Sequence, residues 1–521
     1  MAAKPRPGGQ IMEMDTLKAF TLAFFEISAL VMALGVLLLV IALVYMYVAD
    51  VTQREQTIRR NYPIIGRFRY FFEHLGEFFR QYFFALDREE LPFNRAQRSW
   101  VYRAAKNVDA TVAFGSTHPL NQPGDFVFLN GLFPPLEEEV RPRSEIVFGA
   151  GFAETPYHTR AFFNISAMSF GALSAPAIRA LSAGAAEAGI WLNTGEGAIS
   201  TYHLEGGCDI VFQIGTAKYG VRDEHGALDE EKLREIASHP EVKMFEIKLS
   251  QGAKPGKGGI LPGAKVTEVI ASTRGIPAGE DSLSPNRHTD ISTIDELLDM
   301  IVRVRQVTGK PTGFKAVIGQ SAWLDDLCQH IQQRGLECAP DFITVDSADG
   351  GTGAAPQSLI DFMGLPLRRS LPLVVDKLVA YGLRERIKVI ASGKMVNPSG
   401  VAAALCLGAD TVNSARGFMF SLGCIQALQC NKNTCPTGIT THDEDLQKGL
   451  DPTDKARRVA NYARNLMHEV EVIAHCCGVE EPQDLDRSHA QIIDEVGLPQ
   501  PMLTLHPEAQ PLPQYQRSSG D

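Results

Sequence analysis

The chain has no Cys-x-x-Cys pair, no basic cluster in the half that carries its glycine-rich motifs, and just one long uncharged apolar run. Each shortage closes off a class of function. Structural zinc sites close tetrahedrally on four ligands, usually grouped in such pairs, so a zinc-finger or zinc-ribbon reading falls away. A net charge of −11 without a basic patch argues against nucleic acid as a partner. Nine cysteines in 521 residues are too sparse for a secreted disulfide framework. They fit a reducing compartment, where thiols serve metal or redox chemistry. Cys208, Cys328, Cys338, Cys406 and the pair Cys476–Cys477 read as structural.

The other three cysteines stand apart. Cys424, Cys430 and Cys435 lie in the run CIQALQCNKNTCP, spaced C-x5-C-x4-C with proline directly after the last. Three thiolates followed by Cys-Pro suit an iron–sulfur cradle with three protein ligands. The spacing alone leaves open three unrelated buried thiols, since free cysteine is often a core residue.

The uncharged run is Ile27 to Val48. As a helix it spans ~33 Å, enough for a bilayer core, and it reads as a single-pass signal anchor between an N-terminal tail (1–26) and the rest. Arg54, Arg59, Arg60, Arg67 and Arg69 follow it, against Lys4, Arg6 and Lys18 before it. The positive-inside rule then places everything after residue 50 in the cytoplasm. Residues 49–160 form a lead-in. Within it, Phe68, Phe71, Phe72, Leu75, Phe79, Tyr82, Phe83 and Leu86 share one helical face, and Arg69, Glu73, Glu77 and Arg80 lie off it. That helix either packs on a catalytic domain or lies in the membrane interface. Residues 88–160 read as irregular. Beyond residue 480 comes an extension whose tail, from His506 to Asp521, has a disordered composition.

Between residues 161 and 480, short apolar runs alternate with helical patterns. The runs are Phe163–Met168, Ile190–Thr194, Ile210–Ile214, Met244–Leu249, Gly313–Val317, Phe342–Val345, Ile387–Ala391 and Thr411–Ser414. The helical stretches are Ala175–Ala188, Glu230–Ser238, Thr293–Val307, Trp323–Arg334, Leu371–Tyr381 and Ser399–Leu407. Eight buried strands alternating with helices predict an α/β chain, a (β/α)8 TIM barrel behind an N-terminal transmembrane helix. The long Ser250–Thr293 insertion would leave the C-terminal end of the fourth strand, where such barrels keep their active-site loops.

Polar, glycine-rich segments follow the late strands: Asp346 to Gly353, Ser392-Gly393-Lys394 and Asn413 to Gly417. Glycines there let backbone N–H groups approach a phosphate. Taken singly, each is also an ordinary turn. Lys315 ends the fifth run, and an ammonium inside an apolar strand needs an anion. At the barrel mouth it could sit beside a flavin ring and stabilise its reduced form; on the other face of the strand it is a surface lysine.

Six segments, in order, resemble the synthase domain of the glutamate synthase family over roughly residues 160–480. They are Ala167-Met-Ser-Phe-Gly-Ala-Leu-Ser174, Asn193-Thr-Gly-Glu-Gly197, Gln251-Gly-Ala-Lys-Pro-Gly256, Leu261-Pro-Gly263, Asp349-Gly-Gly-Thr-Gly-Ala354 and the cysteine run. The resemblance implies an FMN-binding barrel with a 3Fe-4S cluster on Cys424, Cys430 and Cys435. It implies reduction of 2-iminoglutarate, formed from 2-oxoglutarate and ammonia, to L-glutamate. It implies FMN over Met168, Ser169 and Gln213, with Lys315 at the ring and the phosphate at Gly350, Gly351, Gly393 and Ala415. The keto acid would lie near Glu196, Gln251, Lys254 and Arg274. Lys254 and Arg274 suit a dicarboxylate, and Glu196 suits an ammonium or imine nitrogen, or a proton transfer.

The chain departs from the family at three points. Where the family loop continues Lys-Pro-Gly-Glu-Gly-Gly-Gln, this chain has Lys257 and Ile260 in place of the Glu and the last Gln. Met1 leads directly to an anchor, so the expected nitrogen source is free ammonia or a separate glutaminase. A tethered form also differs from the family's soluble enzymes, and the expected electron donor is ferredoxin or a membrane redox carrier. Three alternatives remain: a membrane-bound flavin and iron–sulfur electron-transfer or binding module, a reductase of another imino or keto acid, and an inosine-monophosphate-dehydrogenase-like barrel. The last lacks its catalytic cysteine loop here.

Overall fold

The computed structural model describes residues 9–109 and 111–515, in two compact units, Met1–Arg95 and Ala96–Asp521. In the first unit, helix α1 (Gly9–Thr52) contains the apolar run and continues back through most of the expected tail. Among the described residues, Met14–Thr52 is the one stretch long and apolar enough to cross a membrane. Its end is folded over. The buried Asp50 carboxylate accepts from Arg59 at 2.6 Å, Arg67 at 2.9 Å and the Ile64 amide at 3.0 Å. Two of the five arginines that set the expected orientation therefore share one carboxylate, which offsets one of their two charges. Helix α2 (Gly66–Phe79) follows and continues into a single π-turn at Arg80–Phe84. The rings of Phe68, Phe71, Phe72, Tyr82 and Phe83 are exposed.

The second unit is built on a closed barrel of eight parallel strands. They are β1 (Phe163–Ile165), β2 (Leu192–Asn193), β3 (Ile210–Ile214), β4 (Val242–Lys248), β5 (Thr312–Val317), β6 (Phe342–Asp346), β7 (Lys388–Ser392) and β8 (Thr411–Ser414). Every residue of β3 and β6 is buried, because helices cover the outside and side chains fill the inside. Hence these strands read as mostly apolar runs rather than alternating ones, broken only by Gln213 in β3 and by Thr344 and Asp346 in β6. The covering helices include α3 (Ala175–Ala188), α4 (Glu230–Ser238), α5 (Ile294–Thr308) and α6 (Ala322–Arg334), then α7 (Leu367–Ala380) and α8 (Pro398–Cys406). Local chemistry fixes their ends. Ser174 caps α3 by accepting from the Ala177 amide, and Thr293 and Glu296 form a reciprocal capping box on α5.

Three expectations need correction. The lead-in is not irregular throughout. A hairpin of Ile146–Phe148 and Tyr157–Thr159 closes the bottom of the barrel, with the fully buried Phe148 ring 5.8 Å from both Trp191 and Phe342. Nor are the lead-in and C-terminal extension separate. Phe126–Phe128 pairs with Ala490–Ile493, which pairs with Pro499–Pro501. The segment from His506 is ordered as far as residue 515: the Leu512 amide donates to Ala380 at 2.8 Å, and Tyr515 lies against Tyr381. Residues 516–521 lie outside the described ones. A long helix, α9 (Pro452–Cys477), seals the barrel beside α3. Gly184 makes that approach possible, since a Cβ there would sit 2.5 Å from the Ala456 carbonyl oxygen.

Candidate active site

One cavity opens at the C-terminal ends of the strands. Met168, Ser169, Glu196, Gln213, Gln251, Lys254, Arg274, Lys315, Gly351, Gly393, Ala415 and Cys430 all line it. These are twelve of the fifteen residues singled out in the sequence. Gly350 is one position behind the lining, with its Cα side against the Ser347 carbonyl. Cys424 and Cys435 are not part of the wall. The Ser250–Thr293 insertion does leave the end of β4, and it roofs the cavity with the short pair Ile260–Leu261 and Ser282–Leu283 and a helix at Glu268–Arg274.

The walls are dominated by positive charge. Lys248, at the end of β4, donates to Glu196 at 2.6 Å, both side chains about one-tenth exposed. Burial works against the Glu196 charge, but Lys248, the Ser284 hydroxyl and Arg274 outweigh it and hold the carboxyl down to about 2. Gly215 makes room for this pair, because a Cβ there would lie 2.0 Å from Glu196 Cγ. Lys315 faces the mouth, as one of its two readings required, and meets Asp346 at 3.3 Å. Asp346 also accepts from the Gly252 amide, tying the insertion to β6. Lys394 reaches Asp349 at 3.0 Å.

Four lining cations have no carboxylate partner among the described residues: Lys254, Lys265, Arg274 and Arg416. Burial, helped by the neighbouring Lys248, pushes the Lys254 ammonium down to about 8. Lys265 is buried and donates to the carbonyls of Ala172 and Cys430; desolvation brings it to about 8 as well. Arg274 is buried among neutral groups, donating to Ser282 at 3.2 Å, Ser169 at 3.4 Å and the Phe170 carbonyl at 3.1 Å. Its Nε has no partner. Arg416 donates to the Thr352 carbonyl and lies 3.9 Å from Cys430 Sγ. Three of the four, Lys254, Lys265 and Arg274, are buried, and buried cations not paired directly with a carboxylate are costly unless an anion joins them. A cavity with these three and the half-buried Arg416 is suited to anions. Two further buried atoms on β8, Asn413 Oδ1 and Ser414 Oγ, also lack partners.

Deeper in the barrel, Gln213 donates to Glu246 at 2.6 Å. Asn193 and Thr344 meet the same carboxylate at 2.9 and 2.7 Å. Gln213 therefore reaches the cavity already held by the barrel core.

The three cysteines share one loop, and its backbone takes the left-handed conformation at Gln426, Leu428 and Asn433. Each sulfur has a donor or hydroxyl nearby: the Gln426 amide at Cys424, Arg416 at Cys430 and Thr437 at Cys435. Burial raises the Cys424 thiol to about 11. At Cys435 burial is outweighed by the Thr437 and Thr440 hydroxyls, and the thiol is lowered. No three His, Cys, Asp or Glu side chains among the described residues gather closely enough to hold one metal ion. A multinuclear cluster spreads its ligands over several metal centres, and the donor chemistry of the loop fits one.

The sequence reading missed Lys248 and Lys265, and it gave Asp346, Lys394 and Arg416 no role beyond membership of their glycine-rich segments. Two had a legible signal. Lys248 closes an apolar strand as Lys315 does, and Arg416 directly follows Ala415. Both departures from the family loop are solvent-exposed, but Ile260 lines the cavity mouth whereas Lys257 is outside the lining.

Comparison with known proteins identifies the family. The conserved region in glutamate synthase matches residues 142–480. The glutamate synthase large subunit-like protein YerD of Bacillus subtilis (strain 168) is 39% identical over 510 residues, covering 90% of this chain and 96% of that protein. The archaeal-type glutamate synthase [NADPH] of Thermotoga maritima is 34% identical over 335 residues. The match covers 64% of this chain and 62% of that enzyme, so the chain spans under two-thirds of the archaeal-type relatives. Among solved structures, a mandelate oxidase with benzoyl-formic acid superposes with a TM-score of 0.42 at 14% identity, covering 76% of this chain and 98% of that one. With a family match over most of the chain and a relative aligned along almost all of it, the chain belongs to the glutamate synthase family of oxidoreductases.

Proposed function

We propose that the chain is an FMN-dependent reductase of the glutamate synthase type, converting 2-oxoglutarate and ammonia, through 2-iminoglutarate, to L-glutamate. The observation that carries this reading is the set of four cations without carboxylate partners in a cavity lined by the resemblance's residues. Two anionic species would neutralise them: a dicarboxylate keto acid and a phosphate.

Met168, Ser169, Gln213 and Lys315 would hold the ring of FMN, and Gly350, Gly351, Gly393 and Ala415 its phosphate, with Lys394 and Arg416 close by. When bound there, FMN supplies the hydride that reduces a C=N bond. Lys254 and Arg274 pair with the two carboxylates of the keto acid, and Gln251, itself held by Thr352 at 3.1 Å, orients it. Glu196 stays ionised at neutral pH, so its work is to attract an ammonium or iminium nitrogen rather than to shuttle a proton. Lys254, near 8, is better matched to giving one up. A 3Fe-4S cluster on Cys424, Cys430 and Cys435 would pass electrons from ferredoxin or a membrane carrier, with ammonia free or from a separate glutaminase. Helix α1 would anchor the protein as a single pass, with the barrel cytoplasmic.

Anaerobic purification with visible and EPR spectra reports flavin and cluster together. Adding 2-oxoglutarate and ammonium to the reduced protein should then reoxidise the flavin with glutamate formed. Because Ile260 puts an apolar side chain where the family has an amide, a second reading is an electron-transfer module without amination. Flavin that stays reduced in that mixture would favour it.

A further inference from the structure

We infer that helix α2 and the following π-turn form a second membrane attachment, lying in the headgroup–acyl boundary beside the end of α1. The inference rests on the reading of α1 as a membrane span. Three observations within the first unit carry it. The rings of Phe68, Phe71, Phe72, Tyr82 and Phe83 are between 49% and 74% exposed. They are not scattered. Phe71 and Phe72 have centroids 5.3 Å apart, Phe68 and Phe72 6.4 Å, and Phe79 and Phe83 5.1 Å, so the rings form a row along the element. A row of exposed aromatics is costly in water and is the composition of an interfacial helix face.

The second observation fixes the depth of that row. Asp50 stands two residues beyond the uncharged run, where a span ending at Val48 would meet the headgroups. Its buried carboxylate binds both Arg59 and Arg67 and the Ile64 amide. Arg67 also donates to the Met46 carbonyl at 3.5 Å, within the last apolar turns of α1. The first turn of α2 is thereby pinned at the level where the span leaves the hydrocarbon. A helix starting there reaches lipid with its aromatic face without any further partner.

Third, the charge around the helix suits a phospholipid surface. Residues 50–80 carry six arginines against four acidic residues. Asp50 faces Arg59 and Arg67, and Glu73 lies 4.0 Å from Arg69. Interfacial aromatics beside arginine are the pairing that anchors peripheral helices to anionic membranes.

The test uses the full-length protein in vesicles of phosphatidylcholine and phosphatidylglycerol that contain a phospholipid with a photoactivatable group high on its acyl chain. After irradiation, labelled peptides are mapped by mass spectrometry. Adducts on both the Ile27–Val48 and Phe68–Phe83 peptides, well above the level on barrel peptides such as Glu230–Ser238, are expected. Labelled α1 with α2 at the barrel level would overturn the inference and leave the span standing. Labelling of neither would remove both. A variant with F68S, F71S and F72S should lose the second set of adducts and keep the first; undiminished labelling of that segment would show that the aromatic face is not what contacts lipid. If the variant does not fold, the labelling of the parent still decides.

Discussion

Replacing Lys248 by Met should destabilise the barrel by about 3 kcal/mol at neutral pH, with no atom of the hydrophobic core removed. The magnitude follows from the pair itself. The Glu196 carboxyl is held down from 4.5 to about 2. At about 1.36 kcal/mol per pH unit this is roughly 3 kcal/mol of preference for the ionised form. Both side chains are about one-tenth exposed, so solvent screens little of it. Removing one partner of a buried pair typically costs about 3–5 kcal/mol, because the other charge is stranded. Glu196→Gln strands Lys248 in turn, and the double variant strands neither. The double variant should therefore be less destabilised than the sum of the singles by about 2–3 kcal/mol. The sign of the pH dependence is also fixed. A carboxyl lowered in the folded state stabilises fully above its unfolded value near 4.5, and that contribution is lost as pH falls towards 2. The gap between the parent and Glu196→Gln should thus shrink between about pH 5 and pH 2. Urea unfolding in detergent, followed by the fluorescence of Trp191 at the floor of the barrel, measures each term. Additive single and double variants, or a gap independent of pH, would refute the reasoning.

Lys254, held near 8, should lose its charge as the medium passes that value, so the KM for 2-oxoglutarate should climb above about pH 8. Lys254→Arg should move that climb to higher pH, and a KM flat to pH 10 would place the ammonium away from the keto acid. Ile260→Gln should change the KM for 2-oxoglutarate by up to about tenfold, one hydrogen bond's worth, while Lys257→Glu, outside the cavity, should change it less than about twofold. Equal effects of the two would contradict their separation in space. Cys430→Ser should remove iron and any EPR signal of a cluster while flavin absorbance stays; unchanged iron content would remove the cluster assignment. Lys315→Met should lower the flavin potential by about 20–65 mV, since 30 mV corresponds to about 1.4 kcal/mol in a two-electron couple. A smaller drop would mean that Asp346 already cancels most of the charge.

Much of the scaffold was legible because its rules are local. Strands such as Ile210–Ile214 and Phe342–Asp346 read as mostly apolar runs without alternation because a parallel barrel buries both faces. Helix ends such as Ser174 and Thr293 announce themselves by caps that form within four residues. The site residues were legible for a different reason. Most of them came through the resemblance of six ordered segments to one family rather than through periodicity, and only the glycine-rich segments after the late strands and Lys315 were readable from position, because a barrel gathers its strand ends onto one rim. Elements that depend on distant partners were not legible. The strand at Phe126–Phe128 exists because Ala490–Ile493 lies beside it, and the order of residues 506–515 comes from contacts on α7 and Tyr381.

By itself, then, the sequence determined the apolar helix near the N-terminus and the barrel, since periodicity and capping are properties of short stretches, and its ordered motifs pointed by resemblance to most of the residues around the mouth. Only the tertiary structure decided which of the charges meet. Lys315 could have faced either way, and Glu196 gained its partner from a strand 52 residues away. Of Lys257 and Ile260, three positions apart and both exposed, only Ile260 was placed against the cavity. Ionisation, pairing and exposure depend on distances through space, which no run of neighbouring residues encodes.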